Sequence, residues 1–346
     1  QKWSNVHDVV AASTASHKCM VQVLSYVEVK GSLVIDYDYI YPMELEDIKG
    51  ARTRIKFLAP DQPNEGLGFN SAPDGNQTSE LAARKGKISH MCKAAVSMHL
   101  TQVNAKQFLD QRLTMQTAYG MRLSQFTRKE CHQLDVMVLR VFLPLLKINR
   151  SSPRAMVHGP IQFGGMSMLK HSALQDEWGI HNAVMTLRWD DITARDMLTV
   201  IDAYQLVSGF ITPVLRSPAI PIDYVGQGLI AHLRDRLRAL DGQLAVEKAW
   251  QPSLQRVGDD SIMEPIAASK TIKRIERKLA NECRLWLRVP CLSDLTTANG
   301  VGIPFERLSG RWRARKLPNM TWPDLPQPTK KHWAAFRKCL RHTCCT

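Results

Sequence analysis

Residues 78–98 read TSELAARKGKISHMCKAAVSM, and here the apolar period of the chain changes. Leu81, Ile88, Met91, Ala95 and Met98 recur at intervals of three, four and seven, the spacing of one helical face. Arg84, Lys85, Lys87 and Lys93 decorate its polar side. Upstream the period is two. Residues 19–40, CMVQVLSYVEVKGSLVIDYDYI, alternate apolar and polar about Lys30-Gly31, the signal of a β-hairpin. Residues 55–58 and 67–69 suggest further short strands, with Pro73-Asp74-Gly75 as a closing turn. The first 75 residues therefore read as strands with an opening helix.

Downstream the pattern is helical. A second helix is expected over 104–118, and a third opens at the capping box Thr127-Arg128-Lys129-Glu130 and runs to the Pro144 break. Further helices are expected over 169–187, from Thr193, over 225–240 and over 261–287, with Pro213, Pro218 and Pro221 marking a linker. Residues 303–328 are Pro-rich and basic, and a terminal helix over 329–341 carries Trp333, Phe336 and Leu340 on its apolar side. No repeat of 20–50 residues is visible. The fold class is α+β, mostly α-helical, with segments 1–75, 76–165, 166–302 and 303–346.

Charge is segregated along the 346 residues. It amounts to −3 over residues 1–75, +10 over 76–175, −4 over 176–270 and +11 over 271–346. Two basic blocks between acidic ones suggest a polyanionic partner rather than charge spread for solubility. The most apolar run, VMVLRVFLPLLKI, contains Arg140 and Pro144, so no membrane span and no membrane partner is expected. The expected location is intracellular, nucleus or cytoplasm, and the absence of an initial Met points to a piece of something longer. Eight cysteines are too dilute for a disulfide framework. Cys339, His342, Cys344 and Cys345 have zinc-like chemistry but form one knuckle only, so a helix end with free thiols is the plainer reading and no metal set is assigned.

Three carboxylate pairs invite metal chemistry. Asp36 and Asp38 would share a strand face, while Asp190-Asp191 and Asp259-Asp260 stand at expected helix starts, where capping explains them. The stretch VHGPIQFGGMSM, residues 157–168, lacks the Lys-Ser/Thr pair of a phosphate-binding loop. Gly164 and Gly165 read instead as a sharp structural turn that packs Phe163 and Met166.

Several motifs, in order, carry a resemblance. Trp3-Ser4-Asn5, Lys18-Cys19, Leu67-Gly68-Phe69 with Pro73-Asp74-Gly75, and Phe163-Gly164-Gly165-Met166 are followed by Gln255-Arg256 with Asp259 and Met263. Leu295 to Gly300, Trp322-Pro323, Trp333 and Arg337 complete the series. Together they resemble reverse transcriptases of eukaryotic retroelements, of protist and fungal type, downstream of the catalytic palm aspartates. The chain departs from that pattern at Ala11, Ala12, Ala15 and Ser16, where the family has two glycines and Asn-Pro. Ala adopts positive φ less readily than Gly, so that turn is altered.

The resemblance implies a palm-like remnant over 1–75, a helical thumb over 76–165, a helical connection-like region over 166–302 and a basic tail over 303–346. It implies an RNA-directed DNA polymerase, a nucleotidyltransferase, whose metal-binding aspartates precede Gln1. Mg²⁺ would belong to the intact polymerase only, none being bound by this chain, and the isolated chain is expected to be inactive. By the same resemblance Lys18 would be the general acid toward departing pyrophosphate. The partners implied are an RNA/DNA template–primer duplex and the upstream palm and fingers of the same polypeptide. Arg84, Lys85, Lys87, Lys93, Lys106 and Arg112 are the expected duplex-gripping cations. Arg311, Trp312, Arg313 and Arg315 are expected to contact single strands, cations interleaved with a ring on which a base can stack. Two alternatives stand beside this reading: a stand-alone, non-catalytic nucleic-acid-binding protein, and a basic adaptor for an acidic protein.

Overall fold

The computed structural model describes residues 20–29, 32–46, 52–66, 68–189, 191–226, 228–254, 256–314 and 322–344. About half of the chain is helical, and the strands are short and paired only two by two. Mostly α-helical is therefore the right class. Contacts divide the chain into two compact units that meet between Gln175 and Asp176 in sequence.

In the first unit, β1 (Met20–Gln22) pairs in parallel with β6 (Lys56–Leu58). β2 (Tyr26–Val29) and β3 (Ser32–Ile35) pair antiparallel with Val29 opposite Ser32. The expected Lys30-Gly31 turn between them lies outside the described residues, as does the expected opening helix. β4 (Glu44–Glu46) pairs with β5 (Arg52–Arg54), and β7 (Asn64–Gly66) with β8 (Phe69–Ser71). At the expected Pro73-Asp74-Gly75 turn, Gly75 has φ +82° and donates its N–H to Ala72 O at 3.0 Å.

Helices follow: α1 (Thr78–Ser97), α2 (Gln102–Gln107), a π-helical segment (Phe108–Thr114), α3 (Met115–Leu123) and α4 (Arg128–Leu145). Leu81, Ile88, Met91 and Ala95 of α1 are buried as the periodicity requires. Met98 is exposed because α1 has ended one residue earlier. They meet Leu134, Val138 and Phe142 of α4 and Leu109 and Leu113 of the π segment in one apolar core. Burial of each such side chain contributes roughly 1.5–3 kcal/mol. Thr127 caps α4, accepting from Glu130 N at 3.3 Å while Glu130 accepts from Thr127 N at 2.7 Å.

A buried ion pair lies within this core. Arg84 and Glu80 are almost wholly shielded and bonded to one another. Arg84 also donates to Gly68 O at 2.8 Å and Gln116 O at 3.1 Å, and Glu80 accepts from Asn70 N at 2.8 Å. The pair thus ties β8, α1 and α3 together. Gly120 leaves the space the guanidinium occupies, since a Cβ there would lie 2.1 Å from Arg84 Cζ.

The second unit contains α7 (Ile192–Ser208), α8 (Leu229–Ala239), α9 (Met263–Ala268), α10 (Arg274–Leu287) and α11 (Lys330–Cys344), preceded in the chain by α5 (Arg154–His158) and α6 (His171–Arg188). The single helix expected over 261–287 is two, separated at Ser269–Lys273. The second begins afresh where Glu276 accepts the N–H of Lys273 at 3.0 Å. Trp333, Phe336 and Leu340 of α11 are buried as expected, beside Ala280, Cys283 and Leu287 of α10. Arg284 is fully buried, donating to Leu206 O at 2.8 Å and Val207 O at 2.9 Å, with its guanidinium 5.9 Å from the Trp322 ring centre. Gly209 ends α7 at φ +75°, where a Cβ would meet Arg284 at 2.6 Å. Burial pushes Arg284 down to about 10, still charged at neutral pH.

Arg84→Ala leaves the Glu80 carboxylate buried without its counter-charge and is expected to cost about 3–5 kcal/mol. Lys87→Ala, on the exposed surface, should change stability by less than about 0.5 kcal/mol. Urea denaturation followed by circular dichroism measures both, and equal midpoints would contradict this assignment.

Candidate nucleic-acid interface

Residues 76–175 hold four carboxylates, Glu80, Asp110, Glu130 and Asp135, and each one bonds within the unit. Glu80 holds Arg84, and Glu130 caps α4. Asp110 accepts Lys106 Nζ at 2.7 Å, and Asp135 accepts the N–H of His171 at 3.0 Å and its Nδ1 at 2.7 Å. Against these stand exposed cations: Lys87 and Lys93 of α1, Arg112 of the π segment, Arg140 of α4, then Lys147, Arg150 and Arg154.

The expected cationic row on α1 is not one row. Arg84 points into the core, and its guanidinium is spent on Glu80, Gly68 and Gln116. Contrary to expectation Arg84 is a structural residue, because its guanidinium does not face solvent. Lys85 is half-buried and donates to Gln133 Oε1 of α4 at 2.7 Å. Lys87 and Lys93 are exposed but six residues apart, about 120° around the helix axis.

Lys93 does have a neighbour. With Arg140 it rims a groove of 450 Å³ whose floor is Cys92, Val96, Met137 and Val141, with Ser89 and Ser97 along it. In the sequence Arg140 is the charge that interrupts the most apolar run. Its place beside the buried Leu139, on the outward side of α4, is the signal that marks it as a surface cation. Cys92 forms part of that floor, and burial pushes its thiol up to about 11. Lys106, paired with Asp110, lines a second cleft of 580 Å³ together with Gln102, Gln107, Gln111, Leu146 and Met166. Arg112, on the neighbouring turn, is exposed. A π-helical turn of this kind often marks a functional region.

The glycine stretch forms a closed loop. Gly164 has φ +77°, and a Cβ on Gly165 would stand 2.1 Å from Gly159 O. Met166 N, Ser167 N and Met168 N donate to Met156 O, Gly159 O and Val157 O at 3.0, 2.8 and 3.1 Å. Met166 packs on the core, but Phe163 is 81% exposed, correcting the expectation that it packs. The hydrogen-bonded rungs use the residues at the loop's base, which leaves the short turn Ile161–Phe163 outside.

In the second basic block the side chains are engaged locally. Trp312 is half-buried against the core, with Arg307 4.8 Å from its ring centre. Arg313 donates Nε–H to Trp286 O at 2.7 Å and lies 5.2 Å from that ring. Arg311 is exposed, while Arg315 and Lys18 lie outside the described residues. One face of Trp312 and the Nε–H of Arg313 are thus already occupied, leaving Arg311 as the exposed cation among the described residues of this stretch.

Two-metal nucleotidyl transfer needs several converging carboxylates. Among the described residues no group of three or more His, Cys, Asp or Glu side chains could hold a metal ion. Asp36 and Asp38 do not share a strand face: β3 ends at Ile35, and Asp36 Oδ1 accepts the N–H of Asp38 at 3.1 Å in a tight turn. Asp191 caps α7 through Ala194 N at 2.8 Å, whereas Asp259 binds Ser293 and caps nothing; Asp190 lies outside the described residues. Of the zinc-like set, Cys339 is buried and His342 bonds Thr271 Oγ1 at 2.6 Å, while Cys345 lies outside the described residues. Among the described helices none is long and apolar enough to cross a membrane.

Compared with protein-family models, with curated proteins and with solved structures, the chain matches none.

With its thiol at about 11, Cys92 is almost wholly protonated at pH 8. Its alkylation by iodoacetamide at that pH should run about a hundredfold slower than in urea-unfolded chain, and accelerate as pH rises toward 11. Equal rates in native and unfolded protein, read by peptide mass spectrometry, would contradict the buried groove floor.

Proposed function

We propose that this chain binds nucleic acid through the phosphate backbone, as the downstream, non-catalytic portion of an RNA-directed DNA polymerase of retroelement type. The observation that carries the reading is that all four carboxylates in residues 76–175 are engaged within the unit, two of them buried, one at a helix start and one in a surface pair, against the exposed cations of the same unit. Such a surface attracts a polyphosphate, because the partly exposed Asp110 is neutralised by Lys106 and Glu130 is spent on the start of α4. Phosphate contacts release counterions, giving a salt slope near −0.9 per contact on duplex DNA. Because these are phosphate contacts and not base contacts, sequence preference should be weak. The ordered motifs from Trp3 to Arg337 support the polymerase assignment, in which Mg²⁺ and the catalytic aspartates are supplied by upstream sequence.

The charge-reversed variant Lys87→Glu/Lys93→Glu/Arg112→Glu should bind an RNA–DNA hybrid of 20 base pairs at least tenfold more weakly. Its log–log salt slope should be shallower by about three. Fluorescence anisotropy across salt concentrations measures this with two unrelated hybrid sequences. Unchanged affinity, or a loss confined to one sequence, would refute the backbone-gripping role.

A further inference from the structure

In the second unit, the start of α10 and the last turns of α11 enclose a cleft of 720 Å³ lined by Thr271, Glu276, Arg337, Lys338, Arg341 and His342. Three of these residues are permanent cations and one is an acid. The acid is committed: Glu276 Oε1 takes Lys338 Nζ at 2.6 Å, and Oε2 takes the backbone N–H of Lys273 at 3.0 Å. The ammonium of Lys338 holds that carboxyl below its ordinary range. Arg337 is anchored by one nitrogen to Leu308 O at 3.1 Å, which leaves the rest of its fork for another acceptor. His342 is fixed across the cleft by its 2.6 Å bond to Thr271 Oγ1, and Arg341 is exposed at the rim. The opening turn of α10, a helix of 14 residues, adds the positive end of its dipole.

We propose that this cleft is a phosphate-binding site, taking an oxyanion carried either by a nucleic-acid strand or by a free phosphate compound. A phosphoryl group suits the lining because it accepts several charge-assisted hydrogen bonds at once from guanidinium and ammonium donors. The site belongs to the second unit and does not rest on the duplex reading of the first.

The test uses the full chain at low salt, titrated with pyrophosphate and, separately, with oligo(dT) of ten nucleotides. The His342 ring signals are followed by NMR and affinity by calorimetry. Pyrophosphate should shift the His342 signals, and Arg341→Ala should weaken binding about tenfold. Glu276→Gln keeps an oxygen acceptor for the Lys273 N–H but removes the negative charge, so it should tighten binding severalfold. Displacement of pyrophosphate by oligo(dT) at lower concentration assigns the phosphate to a strand, and failure to displace it assigns the site to a free phosphate compound. Unmoved His342 signals, or equal affinities in wild type, Arg341→Ala and Glu276→Gln, would overturn the proposal.

Discussion

The buried bond between Glu80 and Arg84 sets much of the first unit. It removes one acid from the surface, joins a strand end to two helices and requires Gly120 to lack a side chain. A charge pair in the interior stands only when its remaining hydrogen-bonding groups are satisfied, and here Gly68, Asn70 and Gln116 supply the partners. Asp135 does the same for His171, Glu130 for the start of α4, and Asp110 for Lys106. The net charge of the block is thus divided by the fold itself. Acids serve the interior, the helix ends and one local pair, while most of the cations are left to water.

Much of this is legible in the sequence. The apolar stripe of α1, the capping box of α4 and the packed face of α11 all follow from spacing, because burial of one helical face has a period near 3.6 residues. Arg84 was readable too. It lies three residues after Leu81 and four before Ile88, inside the apolar stripe, with Glu80 one turn back to meet it. That phase sets Arg84 apart from the outward cations Lys87 and Lys93.

Other features depend on contacts distant in sequence. Nothing local announces that Lys85 reaches Gln133, that Lys93 shares a groove with Arg140, or that Arg313 donates to Trp286. The glycine pair shows the same division. A sharp turn is readable from Gly164-Gly165, but whether Phe163 packs or projects depends on which backbone groups close the loop. In the Arg-Trp-Arg stretch, composition indicates a nucleic-acid surface while the fold engages Trp312 and Arg313 within the unit. The outward cations of the second unit include Lys338 and Arg341, on the terminal helix.

The claim on which the account depends is that the outward lysines of residues 76–175 meet a polyphosphate. Acetylation rates of individual lysines, measured by mass spectrometry with and without an RNA–DNA hybrid, test it at the side chains themselves. The account predicts that the hybrid slows modification of Lys87 and Lys93 severalfold and that added salt abolishes the protection. Rates unchanged by saturating hybrid at both lysines would contradict it.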